Sequence, residues 1–168
     1  MSPNIIIDGL LMYVYLLIVL TFHECAHAWV AHKFGDDTAR LQGRVSLNPL
    51  VHMDLLGTVI LPLAIIFLSA AHSGLAKFII GWGKPVPVNP SNLHPRRLAD
   101  TLVSLAGPAA NFVLAAVILV LARVFLALHL RQMVEPAATM ALISLSFVSS
   151  TCCRSRRWMA RTCSRTSA

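Results

Sequence analysis

Charge is scarce in this chain. Only 12% of its 168 residues are Asp, Glu, Lys or Arg, against 57% hydrophobic, and the mean hydropathy is +0.71. A soluble domain needs a charged shell, so this composition argues for a membrane protein whose length suits one domain of a few spanning helices. Cysteine is almost missing from the body of the chain: Cys25 stands alone, and Cys152, Cys153 and Cys163 lie near the C-terminus in no zinc-finger spacing. No disulfide framework follows from that pattern. Acidic residues are also few, seven against fourteen Lys and Arg, for a net charge of +7. Yet Arg154, Arg156, Arg157, Arg161 and Arg165 crowd the last fifteen positions, and without these five the excess is +2. That residue of charge is ordinary for loops between membrane spans, so no nucleic-acid partner is expected. The N-terminus has neither a basic region nor a small-residue cleavage site, and its apolar segment is expected to be a retained span.

Against this background the long uncharged runs stand out. The first span is expected over about 5–31; its stretch Gly9–Ala31 is 23 residues. At about 1.5 Å per residue that crosses a hydrocarbon core of about 30 Å. A second run, Leu55–Ala71, is 17 residues and carries Pro62, which membrane helices tolerate. A third is Leu102–Ala122, and a fourth segment is expected over about 136–148. Between the second and third, Pro85, Pro87, Pro90 and Pro95 exclude a helix. Val86 and Val88 alternate with proline there, which fits an extended edge strand or a re-entrant loop. The expected fold is an all-α polytopic membrane protein with three to four transmembrane helices and this extended or re-entrant Pro-rich segment. Residues 1–148 form the membrane-embedded core, and 149–168 a basic, disordered tail. Lys33, Arg40 and Arg44 favour a cytoplasmic first loop, whereas Lys77, Lys84, Arg96 and Arg97 in the next loop favour the opposite orientation.

The few ionisable groups inside these runs are therefore informative. His23-Glu24-Cys25-Ala26-His27 follows Gly9–Phe22, which contains no charge. Histidines four apart share one helix face, so both imidazoles can reach one metal ion, and the adjacent Glu24 can take a proton from an activated water. Ionisable groups at membrane depth are costly and read first as functional. A catalytic zinc site needs three protein ligands, and the remaining candidates are His52, Asp54, Asp100 and His129. Asp54 also suits a helix N-cap, Asp100 opens the third span, and His129 suits an interface. His32 is one residue beyond the four-residue step from His27, and Cys25 points away from the histidine face. Asn111 lies four residues after Gly107, so a small residue and an amide share one face at membrane depth. The pair suits either helix–helix contact or a substrate or oxyanion role.

Taken in order, these segments resemble the site-2 protease family of intramembrane zinc metalloproteases, in its compact form without a PDZ domain. The resemblance rests on Phe22-His23-Glu24-Cys25-Ala26-His27-Ala28 and on Gly43-Arg44-Val45-Ser46-Leu47-Asn48-Pro49 with His52 and Asp54-Leu55-Leu56-Gly57-Thr58. It continues through Gly81-Trp82-Gly83-Lys84-Pro85-Val86-Pro87-Val88-Asn89-Pro90 and Ala106-Gly107-Pro108-Ala109-Ala110-Asn111-Phe112, covering roughly residues 8–145. It implies Zn2+ held by His23 and His27, Glu24 as general base, and Gly107 and Asn111 near the site, positioning substrate or taking part in catalysis. It also implies a membrane-protein substrate, cut within or beside the lipid bilayer, and residence in a prokaryotic cytoplasmic membrane.

Family members continue the fourth helix into Asn-Leu-Leu-Pro-Ile-Pro-Pro-Leu-Asp-Gly, whose Asp is the third zinc ligand. This chain has Thr151-Cys152-Cys153-Arg154-Ser155-Arg156-Arg157-Trp158-Met159-Ala160 in that place. Trp-Met-Ala must be encoded TGG-ATG-GCN, and reading from one base earlier gives GAT-GGC, which is Asp-Gly. Cys152-Cys153 forces a leucine codon in the same frame. A one-base deletion shortly before Ser149 is therefore expected, and the nucleotide sequence over codons 140–168 checks it. With no carboxylate or histidine after Glu135, His52 and Asp54 become the possible substitute ligands. The expected function is an intramembrane zinc endopeptidase, inactive in this chain if the third ligand is missing. The alternatives are a catalytically silent membrane protein or a small metal- or proton-relay transporter subunit using His23, Glu24 and His27.

Overall fold

The protein is described here from a computed structural model covering residues 3–71, 82–130 and 134–146. The expected tail 149–168, the end of the fourth span, and residues 72–81 with Lys77 and Gly81 lie outside the described residues. The fold is all-α, with no strand among the described residues. The elements are α1 (Pro3–Lys33), α2 (Thr38–Leu41), a 3-10 turn (Pro49–Val51), a π-helical turn (Leu55–Ile60), α3 (Leu61–Ala71), α4 (Arg96–Ala127) and α5 (Val134–Ser146). Two helices, Ile6–Lys33 and Arg96–Ala127, are long and apolar enough to cross a membrane. The shorter apolar helices are Leu55–Leu68 and Val134–Ser146.

α4 starts six residues before the apolar run because Pro95, with ψ 129°, is the extended residue from which Arg96 turns into the helix. Hydropathy marks where a helix meets the hydrocarbon; the backbone continues into charged turns on either side. α4 ends on His129, whose φ of 60° gives it the left-handed conformation of a helix terminator. The Leu130 N–H then bonds the Phe125 carbonyl at 2.9 Å, and the His129 N–H bonds Leu126 at 3.2 Å. α1 stops in the same manner. Gly35, at φ 97°, lets the Asp36 N–H reach the Ala31 carbonyl at 3.0 Å.

The core lies between α1 and α4. α4 buries Ala99, Val103, Gly107, Asn111, Ala115, Ile118 and Ala122, a stripe at steps of three and four. Its other faces expose Phe112, Val113, Val117 and Val120, as α1 exposes Ile7, Leu10, Leu11 and Val14. Exposing apolar residues while burying the Asn111 amide and His23 inverts a soluble helix and suits a lipid surround. Ala31 packs with Leu93, Ala99 and Val103, whereas His23, farther toward the N-terminus, faces Gly107 and Asn111. The two helices therefore run antiparallel. α3 rests Ile66 against Gly9 of α1, and α5 packs Ala141 onto Ala115 and Ile118 of α4.

The Pro-rich segment is irregular and is held in place by the turn before α3. In the π-helical turn the Leu61 N–H bonds Leu56, five residues back. The same step assigns the Gly57 carbonyl to residue 62, which is Pro62 and has no N–H. The Trp82 N–H takes that carbonyl at 3.2 Å. Thr58 Oγ1 donates to the Trp82 carbonyl at 2.7 Å, and the Lys84 N–H bonds the His52 carbonyl at 2.9 Å. Gly57 has no room for a Cβ, which would fall 2.5 Å from the Trp82 indole nitrogen and closer still to its ring carbon Cε2. Gly83 in turn lies against Leu20 of α1, one turn before His23.

A second joint ties the Pro-rich segment to the end of α1. Asp36, with 0% exposure, accepts from the Thr38 N–H, the Thr38 hydroxyl, the Asn92 amide and, at 2.6 Å, the Asn89 N–H. The His94 N–H also bonds the Phe34 carbonyl at 3.0 Å. Burial pushes the Asp36 carboxyl up, but its hydrogen bonds outweigh that and hold it below the usual carboxylate range.

Candidate metal centre

His23 and His27 stand one turn apart on the buried face of α1, and their Nε2 atoms are 3.2 Å apart. The rings are nearly perpendicular, at 81°, with centroids 4.7 Å apart. Two histidine nitrogens bound to one tetrahedral zinc lie about 3.4 Å apart, so the spacing suits a shared ion. His27 Nδ1 is 2.6 Å from the Val103 carbonyl. A carbonyl only accepts, so Nδ1 carries the hydrogen and Nε2 presents its lone pair. His23 is 4% exposed, and its Nδ1 is 3.1 Å from the Asn111 side-chain amide. The Gly107 carbonyl also lies within hydrogen-bonding reach of the His23 ring. Two lone pairs cannot face each other at this distance without a hydrogen or a cation between them. A hydrogen on His23 Nε2 meets that need, and so does a divalent cation. The donor set, two imidazoles in an apolar helix interface, fits zinc.

Gly107 is what lets α4 close on the pair. A Cβ there would lie 2.6 Å from His23 Nε2 and closer still to His27 Nε2. Glu24 follows His23 directly and is half-buried. Cys25 is turned toward the Ser46 backbone, on the loop after α2.

Among the described residues no third His, Cys, Asp or Glu joins the two histidines. Asp54 is used as a cap, accepting from the Leu56 N–H at 3.1 Å and the Gly57 N–H at 2.7 Å. His52 is fully buried and donates from Nε2 to the Ser46 carbonyl at 2.9 Å. Burial holds the His52 imidazole below its usual range, the Ser46 carbonyl opposes that, and the Arg44 guanidinium adds to it. Arg44 is itself buried and donates to the Val51 carbonyl. Asp100 lies in the second turn of α4, where its carbonyl accepts from the Ser104 hydroxyl. His129 terminates α4, and His32 pairs with Asp37 at 2.6 Å. The structure thus brings together His23, His27, Gly107 and Asn111, and gives Asp54 and His129 other work.

Two participants were not read from sequence. Val103 acts through its main-chain carbonyl, which no side-chain motif reveals. The available signal was register: Val103 and Gly107 are four apart on α4, as His23 and His27 are on α1. Asp36 stands in a polar loop and belongs to no motif.

A family model described as peptidase family M50 matches residues 11–156. A Bacillus subtilis protein named as a zinc metalloprotease, YwhC, is 45% identical over 100 residues, covering 60% of this chain and 39% of that protein. A Mycolicibacterium smegmatis protein named as a zinc metalloprotease, Rip2, is 37% identical over 110 residues, covering 65% of this chain and 38% of its own length. Its Mycobacterium tuberculosis namesake is 32% identical over 108 residues, with 64% and 38% covered. The chain therefore spans less than two-fifths of the curated relatives it matches. No solved structure matches it.

Proposed function

Because the chain belongs to peptidase family M50, the site-2 proteases, we propose that it is built as an intramembrane zinc metalloendopeptidase acting on peptide bonds within or beside the bilayer. The observation that carries this reading is the pair of Nε2 atoms 3.2 Å apart on a helix long and apolar enough to span. The names of the relatives support zinc as the ion. His23 and His27 would hold the ion, and α4 closes over them at Gly107. When bound, zinc supplies Lewis acidity toward a peptide carbonyl and a water molecule. Glu24 is the general base: its carboxylate takes the proton of the attacking water and delivers it to the leaving amine. The apolar faces of α1 and α4 limit water at the site, which strengthens each charge interaction there.

The test separates base from ligand. Glu24→Gln should leave zinc content unchanged and lower cleavage of a model transmembrane substrate by at least about 100-fold. Cleavage retained at the parent rate by Glu24→Gln refutes the assignment. Zinc content that falls in Glu24→Gln as far as in His23→Ala makes Glu24 a ligand instead.

A further inference from the structure

Each imidazole at the site meets α4 through its rear nitrogen. His27 meets the Val103 carbonyl, and the geometry fixes its tautomer. His23 meets the Asn111 amide with 3.1 Å between His23 Nδ1 and Asn111 Nδ2. In that orientation the amide donates to Nδ1, which places the His23 hydrogen on Nε2 and blocks it as a ligand. Asn111 Oδ1 meanwhile is buried without a partner. A half-turn of the amide puts Oδ1 on Nδ1, where it accepts the Nδ1–H and leaves the Nε2 lone pair for a metal. The unpartnered Oδ1 does not by itself choose between the two orientations. The metal does, since only the turned amide agrees with a ligating Nε2.

We propose that Asn111 is a positioning residue for the metal site: its side-chain carbonyl accepts the Nδ1–H of His23, as the Val103 carbonyl accepts that of His27, so that both Nε2 atoms face one divalent cation. This rests on the metalloprotease reading of the histidine pair. It takes Asn111 away from substrate, because the residue has 0% exposure and stands behind the imidazole. It also accounts for an amide at membrane depth, where any unmatched polar group is costly. Outer partners of ligating histidines fix ring orientation and raise ligand basicity, and losing one typically weakens metal binding by about 10- to 100-fold.

Zinc titration of the full chain in detergent, by competition with a chromogenic chelator, tests this without any activity measurement. His23→Ala and His27→Ala address the underlying reading. If they bind zinc as tightly as the parent, or if the parent binds none, both the reading and the inference fall. Given binding that needs both histidines, Asn111→Leu is expected to weaken it by about 10- to 100-fold. Asn111→Asp, whose carboxylate can only accept, is expected to remain within about threefold of the parent or to exceed it. A merely structural asparagine would show the reverse order, because Leu packs in an apolar interface more readily than a buried charge. Parent-like affinity in Asn111→Leu overturns the inference and leaves the Gly107 carbonyl as the sufficient acceptor. An Asn111→Asp variant as weak as Asn111→Leu overturns it too, since an amide donor would then be required. Should Asn111→Leu fail to fold, the aspartate variant still decides. So does the Co2+-loaded parent, which should show two exchangeable, paramagnetically shifted Nδ1–H signals; one signal alone overturns the inference.

Discussion

At the scale of single residues, the site is a matter of which atoms are left out. Gly107 contributes no side chain, and its missing Cβ is the space into which the two Nε2 atoms project. Gly107→Ala forces α4 away from α1 or turns the imidazoles. Overpacking of this kind costs about 1–3 kcal/mol, and here the strain falls on the ligands themselves. Zinc affinity in the chelator assay should drop at least about tenfold in Gly107→Ala, while the helix content seen by circular dichroism stays at the parent level. Parent-like zinc affinity would show that α4 does not close on the pair. The histidines were legible in the sequence because a step of four is one helical turn. Asn111 was legible as a residue type in an unusual place. Its relation to His23 was not, because that depends on how α4 is rotated against α1, and Val103 was invisible because a carbonyl is common to every residue.

At the scale of elements, the turn ahead of α3 joins two sequence motifs that are 24 residues apart at Thr58 and Trp82. Pro62 removes one N–H, the π step leaves the Gly57 carbonyl over, and Trp82 takes it. Asp54, Gly57 and Thr58 are thus the socket of Trp82-Gly83-Lys84. Gly57→Ala should eject the indole, and the amides of Trp82 and Lys84 should then exchange hydrogen about 10- to 100-fold faster by mass spectrometry, an opening change of about 1.4–2.8 kcal/mol. Unchanged exchange there would mean that the socket does not hold the segment. Proline spacing was enough to exclude a helix over this stretch. It could not reveal the partner, since the pairing runs through the main chain of residues far away in sequence. Helix ends were similarly hidden: hydropathy places the apolar run of α4 at Leu102, whereas Pro95 starts the helix at Arg96.

At the scale of the whole molecule, Asp36 ties the end of α1 to the start of α2 and to the segment at Asn89 and Asn92, and the neighbouring His94–Phe34 bond extends that joint to the approach to α4. Replacing Asp36 by Asn should cost about 3 kcal/mol near neutral pH, because hydrogen bonds to the charged carboxylate are weakened or lost. The folded carboxyl lies below its unfolded value, which is near 3.8. Its contribution is therefore fully present above about pH 4 and is lost as pH falls through the folded value. Thermal unfolding in detergent should show the gap between parent and Asp36→Asn constant from pH 7 to about pH 5 and closing below about pH 4. A gap that persists unchanged at pH 3 would remove the carboxylate from this role. The all-α membrane character could be read from the composition together with the long apolar runs, which are of a length for helices to span. The joint at Asp36 could not, since an aspartate in a polar loop looks the same in sequence whether it is solvated or serves four donors.

That joint makes α1 and α4 a pair of tongs with the rivet at one end. Measured along α1, His27 lies seven residues from Phe34, about 10 Å, whereas Ile6 lies about 42 Å away. A swing that parts the far tips by 4 Å, on the order of a side chain's width, parts the blades by only about 1 Å at the histidines. Any separation of the far tips therefore reaches the histidine pair reduced about fourfold.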